Sequence, residues 1–179
     1  IFHVNTTLNP IAAISINPGL PGSVNTAISF TDNSIPNTGT IEEYDWSFSN
    51  GIESTLPQVT IVFSEAGVYE LLYIVGNSVG CFDTLFVEIP LSGKLTIPNV
   101  VTTNVDGIND VFYLDGLQNF KQVSVTILNR WGAVIFEDED YENDWNPEGF
   151  SEGVYFYKIE VTPFSGETEM LTGFIEIIK

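Results

Sequence analysis

The chain has 179 residues, with 24 acidic against five basic side chains and a net charge of −19. So acidic a surface has too few cations to neutralise a phosphate backbone or to settle on anionic lipid, which excludes nucleic acid and disfavours the membrane surface. The lone cysteine, Cys81, rules out an intrachain disulfide, and no apolar run reaches the roughly 20 residues that span a bilayer.

Hydrophobic residues make up 44% of the chain and aromatics 13%, with many Val, Ile and Thr, so a packed core built from strands is expected. The first five residues, Ile1-Phe2-His3-Val4-Asn5, have no basic segment or cleavage motif, and read as a cut inside a longer protein rather than a signal peptide. Strands are predicted at Ile11–Ile16, Thr26–Asp32, Glu42–Phe48, Gln58–Phe63, Val68–Val75 and Phe82–Ile89. Clusters of Gly, Pro, Asn and Ser separate them, as turns do in an antiparallel sandwich. Pro90-Leu91-Ser92-Gly93 then reads as a short linker, since Pro interrupts a ladder and Gly loosens the chain. All five basic residues follow it, so composition changes at the same place.

Beyond the linker, strands are predicted at Lys94–Ile97, Val111–Leu114, Phe120–Leu128, Ala133–Glu137, Gly153–Thr162 and Met170–Ile178. Val123, Val125 and Ile127 alternate with Ser124 and Thr126, and Tyr155, Tyr157, Ile159 and Val161 alternate with Lys158 and Glu160. A period of two marks strands buried on one face. No segment keeps a 3.6-residue period over three turns, so no long helix is predicted.

Two resemblances follow from particular residues. Ile28-Ser29-Phe30-Thr31-Asp32, Tyr44-Asp45-Trp46-Ser47-Phe48-Ser49-Asn50-Gly51, Gly67-Val68-Tyr69 and Gly80-Cys81-Phe82-Asp83-Thr84 make residues 10–90 resemble a PKD (polycystic kidney disease) domain, an immunoglobulin-like sandwich. Ser49 and Asn50 depart from the family's usual Gly-Asp turn, while Trp46 and Phe48 keep its core pair. The second half carries Ile97-Pro98-Asn99-Val100, Asp106-Gly107-Ile108-Asn109-Asp110-Val111-Phe112, Asn129-Arg130-Trp131-Gly132, Tyr141-x-Asn143-x-Trp145 and Gly153-Val154-Tyr155-Phe156-Tyr157. In this order these blocks resemble the gliding-motility-associated C-terminal domain, the type B sorting domain of type IX secretion. Thr103 and Val105 stand where that family usually has Pro and Gly, and Val105 is expected to alter the loop's backbone. The closing Gly173–Lys179 looks like a natural C-terminus.

The expected fold is therefore all-β, two tandem immunoglobulin-like antiparallel β-sandwich domains over residues 1–92 and 93–179. The second resemblance implies a secreted or cell-surface protein exported across the outer membrane. Its implied partners are the type IX outer-membrane translocon and accessory outer-membrane proteins, with the first domain as spacer or adhesive stalk. The alternative is an adhesin module that binds glycan or protein, with or without calcium.

Candidate sites are few. Asn104, Asp106, Asn109 and Asp110 gather hard oxygen donors around Gly107, as a calcium loop does, but without the distal bidentate Glu of an EF-hand. The competing reading is a turn in which Asn and Asp bond their own backbone. Arg130, Trp131 and Gly132 read as an exposed hairpin turn that could serve recognition. Trp145, beside Asn143, Asp144 and Asn146, is expected to be the most exposed tryptophan and a second recognition residue. The acidic run from Glu137 to Asp144 reads as a solvated loop. Cys81 reads as a small core residue. The only histidine, His3, lies near a frayed end, so a triad or zinc site has no positioned imidazole and no enzymatic activity is expected.

Overall fold

The computed structural model describes Leu8–Asn104 and Asp106–Lys179; the expectations for residues 1–5, for His3 and for the backbone at Val105 lie outside these residues. Among the described residues the regular elements are all strands, apart from one 3-10 turn at Leu117–Asn119. It divides into two compact units, the second starting at Ser92.

The first unit contains β1 (Ile14–Asn17), β2 (Gly22–Ser23), β3 (Ala27–Asp32), β4 (Ile41–Phe48), β5 (Glu53–Ser54), β6 (Gln58–Val62), β7 (Gly67–Asn77) and β8 (Phe82–Ser92). They form one sheet in the order β1-β3-β6 and another in the order β2-β8-β7-β4-β5. Alternate residues of both sheets meet in one core: Ile28 and Phe30 from β3 face Trp46, Phe48, Leu71 and Tyr73 from β4 and β7. Trp46 stacks on Tyr73 at 4.0 Å between centroids, and its indole N–H donates to the Leu56 carbonyl at 2.7 Å. A large ring is thus buried with its one polar atom satisfied.

The expected linker is instead the end of a strand. β8 runs on through Pro90 and Leu91 to Ser92, with Pro90 opposite Val68 and Leu91 fully buried. Proline is tolerated there because β8 has only the two-residue β2 on its other side, so most of it is an edge.

Two tyrosine corners brace the molecule. Tyr69 donates its hydroxyl to the Glu65 carbonyl at 3.1 Å, and Tyr155 donates to the Ser151 carbonyl at 2.9 Å. Each follows Gly-Val, and Gly67 and Gly153 both have positive φ, 150° and 133°. The same three-residue device therefore opens a long strand in each unit, a local repeat between halves that otherwise differ.

The second unit contains β9 (Val100–Thr102), β10 (Gln122–Leu128), β11 (Val134–Asp138), β12 (Gly153–Thr162) and β13 (Glu169–Ile178). They make one sheet in the order β11-β10-β12-β13-β9, antiparallel except for β9, which runs parallel to β13. Its inner face supplies Val123, Val125, Ile127, Ile159, Val161 and Ile175 to the core. The covering layer is largely irregular chain carrying Phe112, Leu114, Tyr141 and Trp145. The strands expected at Lys94–Ile97 and Val111–Leu114 are reduced to a single bridge between Thr96 and Asp115.

Side chains do the pairing that a neighbouring strand would otherwise do. The Leu114 N–H donates to Asn143 Oδ1 at 2.7 Å, and Asn143 Nδ2 donates back to the Leu114 carbonyl at 3.1 Å. Tyr141 donates its hydroxyl to the Phe112 carbonyl at 2.6 Å, and the Phe112 N–H donates to the Trp145 carbonyl at 3.0 Å. The Tyr141-x-Asn143-x-Trp145 block is thus a clip that satisfies the main chain of residues 112–114. Asn143 has φ 63°, a left-handed conformation that Asn tolerates better than most residues.

Burial pushes the hydroxyls of Tyr73 and Tyr141 well above the usual tyrosine range, with the hydrogen bond to Asp32 adding to the effect at Tyr73. The fold favours the protonated form, so this stability is fully present below the unfolded pKa of about 10 and is lost as pH rises past it. Urea midpoints are expected to fall between about pH 9 and pH 11. Tyr141→Phe is expected to make that fall shallower; an unchanged slope would mean that Tyr141 does not contribute to it.

Candidate functional site

In the loop after β9 the two carboxylates accept hydrogen bonds from within the loop. Asp106 Oδ1 accepts from the Ile108 N–H at 2.8 Å, and Asp106 Oδ2 accepts from Asn104 Nδ2 at 2.8 Å. Asp110 Oδ2 accepts from the Gly107 N–H at 2.7 Å. Gly107 and Asn109 take positive φ, 86° and 58°, and the Asn109 and Ile108 carbonyls accept from the backbone N–H and the hydroxyl of Thr102. Among the described residues no group of three or more His, Cys, Asp or Glu converges as a metal centre. The geometry is that of an Asx-type turn fastened to β9. Melting of the full chain is expected to be the same in millimolar calcium and in excess chelator, while Asp106→Ala costs about 1 kcal/mol through lost acceptors. A calcium-dependent rise in melting temperature, abolished by Asp106→Ala, would make the loop a metal site.

The turn between β10 and β11 is held by one side chain. Asn129 Oδ1 accepts the N–H groups of Trp131 and Ala133, both at 3.0 Å, and the Asn129 carbonyl accepts from Gly132 at 2.9 Å. Gly132 has φ 81°, so a side chain there would be strained. Trp131 projects from this turn 81% exposed, with the Arg130 guanidinium 5.4 Å from its ring centroid. Arg130 and Trp131 also line a recess of about 250 Å³ with Ile135, Phe150 and Tyr155.

Trp145 corrects the expectation made for it. It is only 5% exposed, enclosed by Phe112, Phe136 and Phe150 at centroid distances of 6.2, 5.8 and 5.9 Å. Its polar neighbours mislead because Asn143 spends its amide on Leu114 rather than on water. Trp131 is the exposed tryptophan, and Trp46, also buried, fills the first core. The acidic stretch leaves β11 with Glu137, Glu139, Asp140, Glu142 and Asp144 exposed, as a solvated run should be. Cys81 is half-buried, its N–H held by Asn77 Oδ1 at 3.0 Å. Among the described residues no helix is long and apolar enough to cross a membrane.

The clip, the Asn129 turn and the second tyrosine corner all lie within a stretch that matches a known family. Residues 95–177 match the CHU_C type IX secretion signal domain. The resemblance expected for the second half is thereby borne out over nearly the whole second unit. A signal domain of this kind marks proteins exported across the outer membrane to the cell surface or beyond. No curated protein matches the chain.

Several solved structures are similar. The PKD1 domain of the Vibrio cholerae metalloprotease PrtV is 26% identical at a TM-score of 0.41, covering 47% of this chain and 98% of its own. The PKD1 domain of Vibrio anguillarum Epp is 20% identical at a TM-score of 0.44, covering 50% of this chain and 100% of its own. Dimeric latent PorU from Porphyromonas gingivalis is 10% identical at a TM-score of 0.43, covering 98% of this chain and 21% of its own.

Proposed function

We propose that the signal domain directs export of an attached passenger through the type IX outer-membrane translocon and its accessory proteins, and that the first unit is a non-catalytic spacer or adhesive stalk. The observation that supports this reading is the family match across 95–177, nearly the whole of the second unit. The first unit fits a stalk: its core is a packed sandwich, and up to Gly93 the chain has no Lys or Arg with which to grip an anionic surface.

The test is a fluorescent passenger, given an inner-membrane leader and fused to all 179 residues, expressed in a bacterium with a working type IX system. The passenger is expected outside the cell or on its surface, and to stay in the periplasm when residues 92–179 are deleted. Equal export of both fusions, or retention of both, would overturn the proposal.

A further inference from the structure

The outer face of the second sheet carries a row of apolar side chains that faces solvent. Leu128, Phe156 and Phe174 lie directly opposite one another on β10, β12 and β13, and Val134 on β11 lies opposite Leu128. Phe156 and Phe174 are 47% and 54% exposed. Between them lies an open groove of about 460 Å³, also lined by Lys158 and by Gly132 of the Asn129 turn. The turn thus borders the groove on one side and the Arg130–Trp131 recess on the other.

Two of the five cations in the chain flank this turn: Lys158 lines the groove and Arg130 lines the recess. Among the described residues neither makes an ion pair, despite 24 carboxylate side chains in the chain; the Arg130 guanidinium lies over the Trp131 ring and close to Gly153. An unpaired guanidinium beside an exposed tryptophan on a rigid turn is the composition of an interface hot spot, and soluble monomers seldom leave such contiguous apolar surface open. The row is bordered unequally along its length. Lys158 follows Phe156 on β12, whereas Glu176 follows Phe174 on β13. An occupant with a carboxylate is thereby oriented as well as held.

We infer that this face is where the signal domain is read: a docking surface for a protein segment that lays apolar side chains along the Phe156–Phe174 row and sets carboxylates against Lys158 and Arg130. The inference rests on the export reading above and names the surface through which it works. A second copy of the chain is a poor occupant, since each copy brings a net charge of −19.

The experiment uses the full-chain fusion with Trp131→Ala, Arg130→Glu, Lys158→Glu and Phe174→Thr, each also purified for thermal melting. The side chains replaced project from the turn or the outer face, so melting is expected to be unchanged while export falls tenfold or more. Arg130→Lys is expected to recover part of the loss, because it restores the charge without the planar fork. Export of all four variants at the level of the unaltered chain would overturn the inference and leave the export reading standing. Retention of the unaltered chain would overturn both. Melting that falls in step with export would overturn it too, since the row would then serve the fold. So would a concentration-dependent dimer in sedimentation that Trp131→Ala abolishes.

Discussion

Phe112→Ala is expected to destabilise the second unit by about 3–5 kcal/mol, the range for emptying an aromatic site in a core. Phe112 is fully buried although it lies outside any strand, and its ring contacts those of Tyr141, Trp145 and Tyr157 at 6.4, 6.2 and 5.8 Å. The cavity cannot close by a small shift of a sheet, because the facing layer is irregular chain tied down by the clip. The loss is read in urea unfolding followed by fluorescence, with Trp145 reporting the second unit and Trp46 the first. The Trp145 midpoint should fall and the Trp46 midpoint should stay. A cost below about 1 kcal/mol would mean that the irregular layer is not part of the packed core.

In the first unit the largest polar effect is expected at Asn77. It is 2% exposed, the most buried polar side chain among the described residues. Its Nδ2 donates to the Leu8 and Pro36 carbonyls at 3.0 and 3.1 Å, and its Oδ1 accepts from the Val79 and Cys81 N–H groups at 3.3 and 3.0 Å. One amide thus ties the start of the unit, the loop before β4 and the β7–β8 turn together. Asn77→Ala removes all four bonds and leaves main-chain groups without partners. The expected cost is about 3 kcal/mol, since each unsatisfied buried group costs roughly 1–3 kcal/mol and some regain water. Asn77→Asp keeps the acceptor and loses the donor, so it should fall between. The midpoint followed at Trp46 measures both variants, and an Asn77→Ala variant as stable as the parent would show that water replaces the side chain without loss.

Long alternating segments were legible in the sequence. Gly153–Thr162 is a strand over the predicted span, and β3, β4 and β10 differ from expectation by one or two residues at an end. Alternation also explains the main error. Phe112 and Leu114 are buried and Tyr113 is exposed, the pattern of a strand, but the partner of this stretch is the Asn143 amide and the Trp145 main chain. Periodicity reports which face is buried and not what satisfies the backbone. β9 went unseen because three residues hold too little alternation, and its parallel pairing with β13 comes from a distant part of the chain. Around Arg130 and Asp106 the residue types pointed to turns, and turns are found at both places. What the sequence could not rank was which tryptophan is covered, since that depends on where a polar neighbour spends its hydrogen bonds.

The two margins of the second sheet bear on what happens when many copies stand side by side. At one margin β11 ends in Glu137 and Asp138 and leads into Glu139 and Asp140. At the other, β9 offers three residues. A neighbouring chain seeking to add itself as a further strand meets carboxylates along the first and too short a template along the second. Copies crowded together therefore have little to polymerise through at this sheet, and its two margins favour separate molecules.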